Sequence, residues 1–226
     1  MTDTPTPTHA EPPFNAKTQV LQALDTLRSL FPLEQRMRNA TPAQRHAYAS
    51  ILATWVEGET PSAGLGDTAG VQELAQLDAL VVSAEGIGCY PFSARDSAIQ
   101  VTFNGVSVHA MCAIDALAIA RLVAAETRVT SACEVCHTPL ACEVAANGAL
   151  PHDQDQAPRV IWQTKARGGD HCSQTLCRHI RFICSACNAP DTVRLYTLAQ
   201  ATVIGNAFFS FQRALLAGMR AEPPSA

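Results

Sequence analysis

The sequence predicts an α+β fold, in which a helical, winged-helix-like module precedes a mixed or antiparallel sheet core flanked by helices. Apolar residues recur at helical spacing in roughly the first third of the chain, and alternate with polar residues as in strands from residue 98 onward. A long apolar helical segment closes the chain. Because 226 residues suffice for one sizeable domain or two small ones, we expect a disordered tail over 1–15, the helical module over 16–94 and the core over 95–226.

The helical module is predicted from periodicity and from residues typical of helix ends. The first helix follows the Pro/Thr-rich tail. The second has Thr41 as its N-cap, Pro42 at its first helical position and Gly58 after its end. A third helix falls within 70–80, and two short strands are expected around the Glu-Gly turn at 85–86. Three helices and a hairpin of this kind form a winged-helix outline.

DNA binding is the first function that such an outline suggests, but the charges argue against it. The third helix and its end carry Glu73, Gln76 and Asp78 but no Lys or Arg, whereas phosphate contacts need cationic side chains. A net charge of -4 also gives no general attraction to nucleic acid or an acidic membrane. We therefore expect a module that packs on the core, with no nucleic-acid or membrane partner. The N-terminus lacks the pattern of a leader sequence, which favours a cytoplasmic protein.

The core is predicted to begin with a hairpin whose turn is Asn104-Gly105. One face of this hairpin would hold the pairs Phe103–Val106, Val101–Val108 and Ile99–Ala110. A helix starting at about Met111 or Cys112 follows it, then strands within 128–145, 159–164 and 176–186. One long helix over 197–219 is expected to close the fold.

Cys112 and Asp115 form the first candidate site. In the first turn of a helix, free backbone amides and the helix dipole stabilise a thiolate. Asp115 lies three residues later and on the same face. Two acidic groups so close tend to share one proton, which suits general base and then general acid catalysis. The alternative is that Cys112 is a buried, packed thiol and that Asp115 caps the helix or meets water.

The remaining cysteines suggest a second site. In a reducing compartment, nine cysteines should be free thiols or metal ligands rather than disulfides. Two Cys-x-x-Cys pairs stand out, Cys133 with Cys136 and Cys184 with Cys187. Together they could hold a structural zinc ion in a tetrahedral thiolate site. The alternative is four reduced thiols.

The segment around Cys112 and the later segment around Cys177 resemble the organomercurial (alkylmercury) lyases. The resemblance rests on Cys112, Ala113 and Asp115, then on Arg128, Val129, Ser131 and Cys133, and finally on Cys177, His179 and Phe182. Less specific likeness extends it over Ser50 to Leu216. The chain departs from the family pattern at Met111, where Trp is usual, and at Ala116, where Thr is usual. These departures concern the shape of the substrate pocket.

The resemblance implies a lyase that cleaves the carbon–mercury bond of a small organomercurial by protonolysis, giving a hydrocarbon and thiol-bound Hg(II). Cys112 and Cys177 would supply the two sulfurs, which suit a very soft ion, and Asp115 would carry the proton. No cofactor is required for catalysis, and a cytosolic dithiol or a mercury reductase would accept the Hg(II). Two other readings stay open: a lyase-like zinc-binding or regulatory protein without turnover, and a protein that carries or senses a soft metal ion.

Overall fold

The computed structural model describes residues 13–151, 157–163, 171–190 and 192–221, and it has the α+β architecture that the sequence predicts. Its helices are α1 (Pro13–Leu30), α2 (Leu33–Asn39), α3 (Pro42–Val56), α4 (Ala69–Gln76), α5 (Ala113–Val123), α6 (Cys172–Thr175), α7 (Leu198–Phe208) and α8 (Ser210–Ala221). Its strands are β1 (Leu80–Ser83), β2 (Gly86–Cys89), β3 (Phe92–Ser93), β4 (Gln100–Phe103), β5 (Val106–Ala110), β6 (Thr127–Ala132), β7 (Pro139–Val144), β8 (Arg159–Trp162), β9 (Ile180–Ile183) and β10 (Arg194–Tyr196). Short 3-10 turns cover Ala63–Asp67 and Cys177–His179.

The strands form two antiparallel sheets. Seven strands pair in the order β1-β2-β3-β5-β4-β6-β7, and three pair in the order β10-β8-β9. The β4–β5 hairpin has the predicted register, with Phe103 opposite Val106 and Val101 opposite Val108. Asn104 and Gly105 both have positive φ, as a two-residue hairpin turn requires. The larger sheet therefore continues from the β1–β2 hairpin through β3 into the β4–β5 hairpin and the strands beyond it.

The N-terminal helices pack directly on that sheet. Thr41 and Gln44 form a reciprocal capping box at the start of α3, which confirms the predicted helix start. Trp55 near the end of α3 donates its indole N–H to the carbonyl of Ile87 at 2.9 Å and stacks on Phe92. These contacts place both parts in one apolar core. The boundary at residue 95, the tail over 1–15 and the winged-helix likeness stay predictions, and residues 1–12 lie outside the described part.

The helix α5 lies at the centre of the core. Nearly every side chain along it is buried, and it packs against α7 on one side and the larger sheet on the other. The two helices α5 and α7 approach each other closely because α7 has a glycine at the contact. A Cβ atom on Gly205 of α7 would lie 2.7 Å from the backbone oxygen of Ile114. The hydrophobic contact between α5 and α7 thus fixes the start of α5.

Two features of the fold differ from the sequence prediction. The closing segment is not one helix over 197–219, because the chain breaks between α7 and α8 at Phe209. That ring packs edge-on against Phe208, and the break lets α8 turn toward α3. There Gln212 donates a hydrogen bond to the Tyr48 hydroxyl at 2.7 Å. The short helix α2 and strands β3 and β10 were also not predicted.

None of the helices in the described ranges combines the length and the apolar character needed to cross a bilayer.

Candidate active site

Cys112 stands at the junction between β5 and α5. Its backbone is extended, and its Sγ accepts the N–H of Asp115 at 3.4 Å, so that it serves as the N-cap of α5. The helix starts at Ala113 rather than at Met111 or Cys112 as predicted. The reason is that strand pairing runs to Ala110 and the Met111 N–H still donates to the Pro91 carbonyl at 3.2 Å, so the chain remains extended through Cys112. The cap brings the Asp115 side chain, in the first turn, close to the sulfur.

Cys177 comes to the same place from a distant part of the chain. It begins the 3-10 turn that precedes β9, instead of lying on the predicted strand. Its Sγ donates to Oδ2 of Asp115 across 3.7 Å. One ligand atom from each of Cys112, Asp115 and Cys177 lies within 4.8 Å of the other two. The structure thus brings the three predicted residues together, while their catalytic roles remain to be tested.

All three side chains are almost completely withdrawn from solvent. The exposed fractions are 2% for Cys112, 5% for Asp115 and 3% for Cys177. Because burial disfavours the charged form, it raises the pKa of the Cys112 thiol well above its ordinary value. The expectation of a helix-stabilised thiolate at Cys112 is therefore wrong for the free protein: desolvation outweighs the hydrogen bond from the Asp115 amide.

Asp115 is the group of the site that titrates near neutral pH. Burial raises the pKa of its carboxyl to about 7, although hydrogen bonds from Cys112 and Cys177 oppose the rise. For Cys177, the hydrogen bond with Cys112 lowers the pKa. Three other effects raise the pKa of Cys177: the hydrogen bond with Cys172, burial, and neighbouring negative charge. Together they outweigh the lowering, so that the pKa lies well above its ordinary value. Near pH 7 the site thus holds protonated thiols beside a carboxyl that can take or give a proton. The sharing of one proton by Cys112 and Asp115 stays a prediction.

A third thiol, that of Cys172, also reaches this site. The Sγ atoms of Cys172 and Cys177 are 3.7 Å apart. The N-terminal part of the chain holds this turn in place: Asp78 accepts the backbone N–H of Cys172 at 3.0 Å, and the Tyr90 hydroxyl accepts that of Ser173 at 2.8 Å. In the sequence, the segment His-Cys-Ser-Gln-Thr-Leu-Cys places Cys172 near Cys177. The two hydrogen bonds that hold this turn, however, come from residues 94 and 83 positions earlier in the chain.

A cavity of about 370 Å³ is lined by residues next to the three thiols in the chain, although none of the thiols lines it. Met111 and Ser173, the chain neighbours of Cys112 and Cys172, form part of its wall. Arg95, Arg178 and Arg181 line it as well. Met111 is half-buried, and its methyl group lies 2.9 Å from the point where a Cβ on Gly88 would be. Gly88 therefore makes room for the Met111 side chain, which lines the cavity.

The second set of cysteines also converges. One sulfur from each of Cys133, Cys136, Cys184 and Cys187 lies within 4.8 Å of the other three. They lie in the β6–β7 turn and in the loop after β9. This cluster is separate from the three residues around Cys112, and these two are the groups in the described residues that could hold a metal ion.

Comparison with known proteins agrees with this arrangement. The family model for alkylmercury lyase (MerB) matches residues 92–208, which is just over half of the chain and includes both Cys112 and Cys177. A solved structure described as the mercury-bound form of MerB2 has a similar fold, with a TM-score of 0.63 and 20% identity. The match covers 83% of this chain and 99% of that one. Among curated proteins, none matches the sequence. From the extent of the family match, the chain belongs to the alkylmercury lyases, enzymes that act on organomercurial compounds.

Proposed function

We propose that this lyase breaks the carbon–mercury bond by protonolysis, with Cys112, Asp115 and Cys177 as its catalytic residues. The observation that carries the proposal is the grouping of two thiols and one carboxyl, all buried and all within 4.8 Å. Two thiols match the preference of a soft ion for sulfur. The carboxyl between them titrates near pH 7, where an acid–base catalyst is most effective.

The first step is capture of the substrate cation R–Hg⁺ by Cys112. The thiol gives up its proton as the sulfur–mercury bond forms. Metal coordination favours the thiolate that burial disfavours in the free protein. The N–H of Asp115 then continues to donate to the bound sulfur, which holds the mercury at the start of α5. Loss of water from this buried position strengthens the interaction further.

The second step uses the contact between Cys177 and Asp115. The Cys177 thiol passes its proton to Asp115, over the 3.7 Å already bridged in the free protein, and its sulfur attacks the mercury. Two sulfur donors increase the electron density on the metal-bound carbon. Asp115 then delivers its proton to that carbon, and the electron pair of the carbon–mercury bond becomes the new carbon–hydrogen bond.

The products are a hydrocarbon, R–H, and Hg(II) held by two thiolates. The balance is R–Hg⁺ plus two thiols giving R–H, a mercury dithiolate and one proton, with no change in the oxidation state of mercury. The similar MerB2 structure is described as mercury-bound, which supports retention of the metal after cleavage. We propose that Cys172, 3.7 Å from Cys177, assists the transfer of Hg(II) to a dithiol or a mercury reductase in the cytoplasm.

The cavity beside Met111 gives the organic group a place to sit. Its volume of about 370 Å³ accommodates a small aryl or alkyl group, and Met111, next to Cys112 in the chain, forms part of its wall. We propose that Met111 moves aside when the substrate binds. The absence of the usual Trp at this position then alters the choice of organic group without removing the reaction.

The test is a turnover assay with phenylmercury in excess thiol, in which benzene is measured by gas chromatography. Wild-type protein should release benzene, while Cys112→Ser, Cys177→Ser and Asp115→Ala should each reduce release to background. Cys142→Ser is the matched control, because Cys142 is also buried but belongs to neither cysteine cluster. Wild-type protein that binds mercury but releases no benzene would refute the proposal. That result would favour a protein that only holds soft metal ions.

A further inference from the structure

We propose that Cys133, Cys136, Cys184 and Cys187 bind one structural zinc ion that joins the two sheets of the fold. This site lies outside the proposed chemistry and stands independently of it. The four sulfurs come from two turns that are far apart in the sequence, and the structure nevertheless places them within 4.8 Å of one another. The cysteines are free of disulfides.

The spacing of the sulfurs matches a metal tetrahedron. Four sulfurs at about 2.3 Å from a central zinc ion lie about 3.8 Å apart along each edge. The Sγ atoms of Cys136 and Cys184, which belong to different turns, are 3.7 Å apart. A disulfide would need a separation of about 2.05 Å. The two turns therefore meet at the distance that suits a shared ion.

The backbone around the cluster also suits bound thiolates. The amide of Cys184 donates to the Sγ of Cys133 at 3.3 Å, across the two turns. Such N–H groups stabilise and orient metal-bound sulfur. His137 follows the first pair with φ of 58°, in the left-handed region, and its N–H closes the turn on the Cys133 carbonyl at 2.9 Å. This conformation turns the chain back into β7 while both sulfurs of the pair face the second turn.

Charge is the second reason to infer an ion. The Arg159 guanidinium is part-buried at the cluster and donates to the carbonyls of Cys184, Ser185 and Cys187. Its Nε is buried without a hydrogen-bond partner, and within the described ranges no carboxylate pairs with it. Four neutral thiols would leave this cation uncompensated. A zinc ion with four thiolates carries two negative charges, one of which would offset the positive charge of Arg159.

The position of the cluster indicates what the zinc would hold together. Around it, Cys133, Ile161 and Ile183 form a small buried cluster apart from the main core. The amide of Glu134 in the first turn donates to the carbonyl of Phe182 in β9 at 2.9 Å. Cys184 directly follows β9, the four-residue strand that begins after the turn carrying Cys177. Zinc would therefore fix one end of the strand whose other end leads to the proposed active site.

The decisive measurement is the metal content of full-length protein purified under reducing conditions. We expect about one zinc per chain by atomic emission spectrometry. Cobalt(II) exchanged into the site should give the visible absorption of a tetrahedral cobalt thiolate. Cys136→Ser and Cys184→Ser should each lose most of the zinc. Cys136 is exposed, so its replacement removes a ligand with little effect on packing.

Two controls separate this site from the other thiols. Cys112→Ser and Cys142→Ser should both keep one zinc per chain, since neither residue belongs to the cluster. Zinc removal should lower the unfolding temperature of wild-type protein and leave that of Cys136→Ser unchanged. Four reactive cluster thiols with no metal, two disulfides, bound iron in place of zinc, or full zinc retention in Cys136→Ser would each overturn the proposal.

Discussion

Replacing Asp115 by asparagine should stabilise the folded protein at alkaline pH. The carboxyl is 5% exposed, and burial raises its pKa from an ordinary value of 3.8 to about 7. Between these two pH values the native state binds more protons than the unfolded state. The free energy of unfolding contributed by this group therefore falls as pH rises through that window. Above pH 7 the cost of the buried charge is fully present.

The magnitude follows from the shift of the pKa. A difference of about 3 pH units corresponds to roughly 4 kcal/mol at pH 8. Asn is nearly the same size as Asp and carries no charge, so Asp115→Asn should recover most of that energy. For a chain of this length, 1 kcal/mol shifts the unfolding temperature by about 2–4 °C. We therefore expect a rise of roughly 8–16 °C at pH 8 and almost none at pH 4.

The assay is thermal unfolding of both proteins in buffers without added metal, from pH 4 to pH 8. Unfolding is monitored by circular dichroism. Asp67→Asn, at an exposed position, is the control and should follow the wild-type curve. The informative quantity is the difference between variant and wild type at each pH, because other groups titrate in both. An Asp115→Asn protein that is equally stable or less stable than wild type at pH 8 would refute the reasoning.

Three further predictions concern activity and packing. The kcat/KM for phenylmercury should rise with pH and level off above about pH 7, because Asp115 must be ionised to accept a thiol proton. A kcat/KM that stays constant between pH 5 and pH 8 would contradict this prediction. Met111→Ala should enlarge the cavity that Met111 lines and raise kcat/KM several-fold for bulky arylmercurials relative to methylmercury. An unchanged ratio in a competition assay would exclude a role of Met111 in selecting the organic group. Gly205→Ala should destabilise the fold by about 1–3 kcal/mol in urea unfolding, because the added methyl meets the Ile114 backbone oxygen at 2.7 Å. Gly218→Ala, with open space around it, should be neutral or stabilising by about 0.5–1 kcal/mol, and equal effects at the two glycines would contradict the packing argument.

The sequence was sufficient to predict those elements of the fold that depend on contacts between residues close together in the chain. Thr41 caps α3 through its own neighbour at Gln44, and the Asn-Gly turn alone sets the register of the β4–β5 hairpin. The convergence of Cys112 with Cys177 was predicted only through family resemblance. Sequence spacing alone does not predict that these two residues meet, because the packing of α5 against distant strands brings them together.

The features that escaped prediction depend on long-range contacts. Cys172 lies at the site because Asp78 and Tyr90 hold its turn, and both residues belong to the N-terminal part of the chain. The break at Phe209 lies within a stretch of continuous helical pattern, and neither Gly nor Pro stands at the break itself. The raised pKa of Cys112 was missed because the helix-end argument considers the dipole and not the loss of solvent around the sulfur.

The cap at Cys112 has a consequence for how this fold could change over time. Serine is among the preferred N-cap residues, and its oxygen could accept the Asp115 amide as the sulfur does now. A descendant with serine at this position would keep the start of α5 and the packing of the core, yet would have lost the soft donor that mercury requires. In this fold, the replacement of one sulfur atom by oxygen could therefore abolish catalysis in a related protein, while its structure would show no change.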